Sequence, residues 1–198
     1  MMNITNEMKK DLSLHAAWMR GERNGVRLDW SERDLSGFDL TRAFLRRAQL
    51  SSADLSSAIL TGADLSDANL TGANLSDANL IGADLSDANL TDADLTDAIL
   101  TDAILIGADL SDANLTDADL TWAILTWAKG IIKFGPVGEH ERTGYAVDHG
   151  DMIMVKLGCF WGTKKDALEA ISEKYGENSE YAAAVEAACT ELKKGTGK

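Results

Sequence analysis

The sequence predicts an all-β solenoid, a chain wound into stacked coils, and three features of residues 29–130 lead to this prediction. Leucine recurs at every fifth position from Leu35 to Leu125, nineteen times in all. Alanine stands two residues before the leucine in every step from Ala43 to Ala123. Asp or Asn usually precedes the leucine, and Ser or Thr usually follows it. A period kept for so long is typical of repeat architectures in which each unit packs on its neighbours.

A five-residue period fits neither a regular helix nor a straight strand. On a helix, successive leucines would step by about 140° and scatter around the surface. On a straight strand they would alternate between the two faces, because the strand period is two residues. All the leucines can point inward only if the chain turns a corner once per step. The coils then stack through parallel backbone pairing about 4.8 Å apart, with the second residue after each leucine at a corner.

The repeat unit, as in Ala63-Asp64-Leu65-Ser66-Asp67, resembles the A(D/N)LXX signature of the pentapeptide-repeat family. The resemblance covers about residues 29–130. It implies a right-handed quadrilateral β-helix of four repeats, or twenty residues, per coil, and therefore about five coils. The spacing alone does not separate a square coil from a triangular one.

Two smaller segments flank the repeat. We expect an N-terminal cap over residues 1–28 and a small α+β module over residues 131–198. The cap contains a predicted helix over residues 5–20. Thr5 is its predicted N-cap, and Gly21 is the residue expected to end it. Its predicted apolar side is formed by Leu12, Ala16 and Met19, with Trp18 as a further candidate. The helix is expected to cover the open first coil, which would otherwise expose unpaired backbone.

The C-terminal module is predicted to contain a hairpin and two helices. Gly135-Pro136 and Gly138 are expected to lie in a linker before it. The hairpin is predicted over residues 142–148 and 152–157, and the helices over residues 164–175 and 179–194. The segment around residues 155–163 resembles a small module of bacterial and phage proteins that often follows pentapeptide repeats.

The charge of the chain is concentrated in the repeat. The net charge is −13, and residues 29–133 contribute −12 of it. Residues 51–128 contain fourteen Asp but no Glu, Lys or Arg. At about 4.8 Å per coil this is one negative charge per about 1.3 Å of axis, against about 1.7 Å for duplex DNA. Direct binding of nucleic acid is not expected, because phosphates require Lys and Arg.

The acidic rod predicts a DNA mimic that occupies the basic channel of a DNA-handling protein. The resemblance implies DNA gyrase or another topoisomerase as the partner, because the family includes proteins that bind them. The alternative is that acidity only keeps the rod soluble. The predicted acidic interaction surface consists of Asp54, Asp64, Asp67, Asp77, Asp84, Asp87, Asp94, Asp97 and Asp117.

A second predicted surface is apolar and lies in the last coils, if a coil has twenty residues. Its members stand where the repeat normally carries polar residues: Ile99, Ile104, Ile106, Trp122, Ile124 and Trp127. Such a patch usually marks an interface. We expect the C-terminal module to fold back over it, with a homodimer contact or a partner site as the alternatives. A structural spacer or assembly component, phage-encoded and contacting partners through its ends and this patch, is the competing hypothesis for function.

No catalytic, cofactor-binding or metal-binding site is predicted. The three histidines and two cysteines do not have the spacing of metal ligands. The one nucleophile considered is Cys159 with His140 or His149, and a structural role for this cysteine is favoured. No apolar run reaches the roughly 18 residues needed to span a bilayer. We therefore expect a non-enzymatic, cytoplasmic protein of a bacterium or its phage that uses no cofactor.

Overall fold

The fold is a β-helix between a helical cap and a sheet-and-helix module. A computed structural model describes residues 4–137, 142–149, 152–157, 160–175 and 179–196. Its regular elements outside the β-helix are α1 (Asn6–Met19), β1 (Ile131–Val137), β2 (Arg142–His149), β3 (Met152–Leu157), β4 (Phe160–Thr163), α2 (Lys164–Tyr175) and α3 (Glu180–Thr196).

Helix α1 packs on the first coil. Thr5 is its N-cap, as predicted, and the Thr5 side chain accepts a hydrogen bond from the Met8 N–H at 3.2 Å. The buried residues of the helix are Met8, His15 and Ala17. Of the predicted apolar side, Leu12 is half-buried and packs against the core, and Ala16, Trp18 and Met19 are also half-buried. The helix places His15 toward the protein interior because two backbone groups there form hydrogen bonds with its ring nitrogens.

His15 joins the helix to the lead-in and to the first coil. Its Nδ1 accepts a hydrogen bond from the Leu28 N–H at 3.0 Å. Its Nε2 lies 2.8 Å from the carbonyl oxygen of Arg46. Because Nδ1 accepts, Nε2 must carry the proton and donate. Burial lowers the pKa of His15, which favours this neutral form although the bond to Arg46 opposes the shift.

The β-helix has twenty residues per coil. Backbone bridges recur at every fifth residue from Asp29 to Asp109 and join it to the residue twenty positions later, as Gln49 to Asn69 and Asn69 to Asn89. From Ala43 onward, each corner is a turn closed by an Ala N–H that donates to the preceding Leu carbonyl, as from Ala78 to Leu75 at 3.0 Å. Every leucine of the ladder is buried except the last, which is half-buried. The square coil that the resemblance implied is therefore confirmed.

The four sides of the coil are named here by the leucines at their centres. Face 1 is centred on Leu50, Leu70, Leu90 and Leu110, and face 2 on Leu35, Leu55, Leu75, Leu95 and Leu115. Face 3 is centred on Leu40, Leu60, Leu80, Leu100 and Leu120, and face 4 on Leu45, Leu65, Leu85, Leu105 and Leu125. Residues twenty positions apart thus form a column along one face or one corner.

The C-terminal module is a four-stranded antiparallel sheet with two helices. The strand order is β1-β2-β3-β4, and β2 and β3 form the predicted hairpin. The expected linker was wrong at Gly135 and Pro136, which belong to β1, and Gly138 lies outside the described residues. β1 is an edge strand whose register shifts between Phe134 and Val137, and a proline is tolerated at such an edge irregularity.

One side of the sheet closes the last coil of the β-helix, and the other packs on the helices. Ile131 and Val147 are buried in the core of the β-helix. Tyr145 also packs against that core and donates its hydroxyl to the carbonyl of Leu120 at 2.9 Å. The alternate residues Ala146 and Val155 belong to a second core with α2 and α3. The module therefore protects the last coil as α1 protects the first.

Candidate protein-interaction surfaces

The aspartates before the leucines hold the backbone of the coil. The Asp94 carboxylate accepts hydrogen bonds from the Thr96 N–H at 3.0 Å and the Thr96 hydroxyl at 2.6 Å. The same pair of bonds from Thr121 holds the pKa of Asp119 below its usual range. Asn114 makes the same contacts with Thr116. The local structure therefore accepts Asp and Asn equally at this position.

The corner residues have a left-handed backbone conformation. All twenty corners from Glu32 to Trp127 have φ between +53° and +69°. Glycine adopts this conformation freely, and Asp and Asn adopt it more readily than other residues. The corners are Gly or Asp at thirteen of these positions. The turn therefore explains why small or Asx residues recur two positions after each leucine.

The predicted acidic surface is divided between two sides of the rod. On face 2 and its corner with face 3, the structure brings together Asp54, Asp77, Asp94, Asp97 and Asp117. On face 4 and its corner with face 1, it places Asp64, Asp67, Asp84 and Asp87. Two aspartates outside the predicted surface, Asp92 and Asp112, lie at the other corner of face 2. Face 2 is thus the acidic face, with corner carboxylates on both of its edges.

The aspartates of the predicted acidic surface also differ in their solvent exposure and in whether they form ion pairs. Asp54 and Asp94 are half-buried, whereas Asp77 and Asp97 are exposed. Asp67 is half-buried and lies 3.3 Å from the Arg47 guanidinium. Asp117 is exposed but lies 3.2 Å from the ammonium of Lys156. The most accessible carboxylates of the predicted set are therefore at corners: Asp77, Asp97 and Asp117 on the acidic face, and Asp87 on the other side of the rod.

The predicted apolar surface is open to solvent. Trp122 is 76% exposed and Trp127 is 83% exposed. Ile124 and Ile99 are 46% and 38% exposed, whereas Ile104 and Ile106 are half-buried. The expectation that the C-terminal module covers this patch was wrong for the two tryptophans. The module packs on the end of the coil, and the corner side chains of Trp122 and Trp127 project sideways from it.

A groove runs between the last coil and β1. It has a volume of about 610 Å³ and is lined by Trp122, Ile124 and Trp127 on one side and by Ile131, Ile132 and Lys133 on the other. A second cavity of about 350 Å³ lies nearby, beneath Tyr145 and Lys156. Burial raises the pKa of Tyr145, whose hydroxyl is already used to bind Leu120. The groove is the larger of these two spaces.

The residues considered as a nucleophile and its partners cannot be compared in the structure. Cys159 and His140 lie outside the residues that the structure describes, and the side chain of His149 does as well. Within the described ranges, no group of three His, Cys, Asp or Glu residues is arranged to hold a metal ion. No helix in those ranges is long and apolar enough to cross a membrane.

Comparison with known families identifies the repeat. The sequence pattern described as pentapeptide repeats matches in 8 copies, over residues 34–67, 63–102 and 93–129. None of the curated proteins compared with the chain matches it. The pattern ends before the C-terminal module, so the resemblance of residues 155–163 to a bacterial and phage module remains a prediction.

Several solved structures match the chain. A pentapeptide repeat protein from the thylakoid lumen of Arabidopsis thaliana is 37% identical over 52% of this chain and 65% of that chain, with a TM-score of 0.40. The present chain thus spans slightly less than two thirds of that protein. A pentapeptide repeat protein from Nostoc PCC 7120 is 39% identical over 54% and 71%, with a TM-score of 0.37. Full-length QnrB1, a plasmid-mediated fluoroquinolone resistance protein, is 18% identical over 51% and 66%, with a TM-score of 0.20.

The five-residue period, the inward Ala and Leu, and the bridges between residues twenty apart all agree with this match. The chain belongs to the pentapeptide-repeat family, and residues 29–129 form a right-handed quadrilateral β-helix of about five coils.

Proposed function

We propose that the protein is a non-enzymatic interaction module that binds a DNA-handling enzyme through its acidic face. The carboxylates of that face take the place of DNA phosphates in a basic groove of the partner. A cytoplasmic DNA gyrase or topoisomerase is the partner proposed, because the family resemblance implies such targets. Such binding weakens as salt rises, since exposed charges are screened.

The choice of Asp over Asn at the corners carries this proposal. Eight corners carry Asp and none of the twenty carries Asn, although either residue suits a left-handed backbone. Before the leucines, where the carboxylate only accepts local hydrogen bonds, Asn and Asp both occur, as at Asn74 and Asp94. The corner backbone therefore does not account for the charge. A requirement for negative charge on the outside of the rod accounts for the preference for Asp at the corners.

The stacking of the corners adds a geometric reason. Asp77, Asp97 and Asp117 form one column, because residues twenty apart occupy the same corner. Stacked backbones lie about 4.8 Å apart, so these carboxylates repel one another and reduce the stability of the rod. A basic surface that binds along the column relieves the repulsion between Asp77 and Asp97 and adds a contact to Asp117, which already lies 3.2 Å from Lys156. This arrangement favours binding to an extended cationic groove.

Replacing Asp77, Asp97 and Asp117 together by Asn is expected to weaken binding to DNA gyrase or topoisomerase IV by at least about tenfold at low ionic strength. Three exposed charge contacts of about 0.5 kcal/mol each give this effect. The measurement is a titration of the labelled full-length protein with the purified enzyme at two salt concentrations.

The matched control removes the same number of charges from positions before leucines: Asp54, Asp84 and Asp94, each changed to Asn. These carboxylates are half-buried, so binding is expected to stay within about twofold of the unmodified protein. Equal weakening by the two triple variants would mean that only net charge matters. If the unmodified protein binds neither enzyme at low salt, the proposed partner is wrong.

A further inference from the structure

The groove between the last coil and β1 lies where a sixth coil would begin on face 4. In the preceding coil, the Leu105 N–H donates to the Ile124 carbonyl at 2.8 Å, and the Gly107 N–H donates to the Thr126 carbonyl at 2.9 Å. The corresponding donors of the last coil are the N–H groups of Leu125 and Trp127. Neither has an acceptor among the residues that the structure describes. The backbone edge of the last coil is therefore open along this groove.

The other wall of the groove is also an open backbone edge. β1 is the outer strand of the sheet, and among the described strands it pairs with β2 alone. The Asp148 N–H donates to the Gly130 carbonyl at 2.7 Å, and in an antiparallel pair such bonded positions alternate along the strand. Ile132 therefore faces β2 with its backbone groups, while those of Ile131 and Lys133 point away from β2. Ile131 is buried, so Lys133 provides the accessible part of this edge. Both sides of the groove offer unpaired main-chain groups.

The tryptophans that flank the groove stand at positions that are unfavourable for them. Trp122 and Trp127 both have φ of +60°, a conformation that is uncommon for a bulky side chain. They are also the two most exposed of the large apolar side chains named above. Neither local backbone preference nor packing within the chain favours tryptophan there. Strain of this kind persists at functional sites.

The charge around the groove differs from that of the rod. Among the residues that the structure describes, its lining contains no Asp or Glu and one cation, Lys133, in a chain of net charge −13. Lys133 also lines the neighbouring cavity, together with Asp119. Lys129 and Lys156 lie against Asp109 and Asp117, whereas Lys133 has no carboxylate partner in the described part of the chain. The groove therefore suits an apolar segment that carries a negative charge, whereas the acidic face suits a basic partner.

We infer that this groove binds an extended segment of another protein as an added β-strand. The segment hydrogen-bonds to the open N–H groups of Leu125 and Trp127 and to the free edge of β1. One apolar side chain of the segment lies between Trp122 and Trp127, and an acidic side chain binds Lys133. Strand addition draws its affinity from main-chain hydrogen bonds and its selectivity from alternate side chains.

This site is separate from the acidic face, so each proposal fails or succeeds without the other. The Asn variants of Asp77, Asp97 and Asp117 are expected to bind an added strand normally. Variants of Trp122 and Trp127 are expected to bind the topoisomerase normally.

The probe is a panel of blocked eight-residue peptides that alternate apolar residues with threonine and carry one aspartate. Titration into the full-length protein is expected to shift the tryptophan emission to shorter wavelength in a saturable way, because the exposed indoles become buried. The same peptides with alternate backbone nitrogens methylated cannot donate and are expected to lose about tenfold or more in affinity. Replacement of their aspartate by lysine is expected to weaken binding as well.

Trp127→Asn and Trp122→Asn keep a residue that accepts the left-handed corner, so both variants are expected to unfold at or above the temperature of the unmodified protein. Each is expected to bind the peptides at least about tenfold more weakly. Asp97→Asn, a corner on the acidic face, is the matched control and is expected to change nothing. A panel with no saturable shift, equal binding of methylated peptides, or unchanged binding by both tryptophan variants would overturn the inference.

Discussion

Replacing Leu85 by alanine is expected to lower the free energy of unfolding by about 2–5 kcal/mol. Leu85 lies in the middle coil of face 4 and is fully buried. Its N–H donates to the Ile104 carbonyl at 2.7 Å, and the Ala88 N–H donates to its carbonyl at 3.1 Å. These bonds hold the coils at a fixed spacing, so the backbone cannot collapse into the cavity. Denaturant unfolding followed by circular dichroism measures the loss.

The control for this change lies two residues further along the chain. Asp87→Asn alters an exposed corner and keeps a residue that suits its φ of +56°. Its effect on the free energy of unfolding is expected to stay within about 0.5 kcal/mol. Similar losses for the two variants would contradict the inward placement of the leucine ladder.

Gly25→Ala is expected to detach the N-terminal cap and to cost about 2–4 kcal/mol. A Cβ at this position would overlap the backbone nitrogen and Cα of Trp18 in helix α1. These are main-chain atoms, so no side-chain rotation relieves the overlap. The helix must move away, which breaks the bond from the Val26 N–H to the Leu14 carbonyl at 3.0 Å. The bond between Leu28 and His15 would be lost with it.

Thermal unfolding and hydrogen exchange measure this second effect. The amides of the first coil, which α1 covers, are expected to exchange faster in Gly25→Ala, while those of the middle coils stay protected. Asn24→Ala, at the exposed neighbouring position, serves as the control and is expected to be close to neutral. An unchanged unfolding temperature for Gly25→Ala would show that the close approach to Trp18 does not exist.

The period of the sequence was sufficient to predict the β-helix. A leucine at every fifth residue can face inward only in a chain that turns regularly, and the bridges between residues twenty apart agree with this. The resemblance supplied the number of sides, which the spacing did not. The sequence also carried a signal that was not used: Asp or Gly at most corners indicates a left-handed backbone there.

Other features depend on contacts between distant residues and were missed. His15 is buried because it bonds to Leu28 and Arg46, and helical periodicity does not reveal such partners. Strand β1 includes Gly135 and Pro136, which normally indicate a loop. The exposure of Trp122 depends on where the module docks. A cluster of apolar residues in a sequence does not show whether another part of the folded protein buries it.

The stacking of corners twenty residues apart underlies both proposed surfaces, and a pair of engineered cysteines tests it most directly. The two native cysteines are first replaced by alanine. Stacked corners lie about 4.8 Å apart, within the range for a disulfide. The double variant with Asp77→Cys and Asp97→Cys is therefore expected to form a disulfide within one molecule on mild oxidation. Both of its thiols are then lost. Asp77→Cys with Asp87→Cys, at opposite corners, is expected to keep them. Free thiols in the first pair, or an internal disulfide in the second, would contradict the twenty-residue coil.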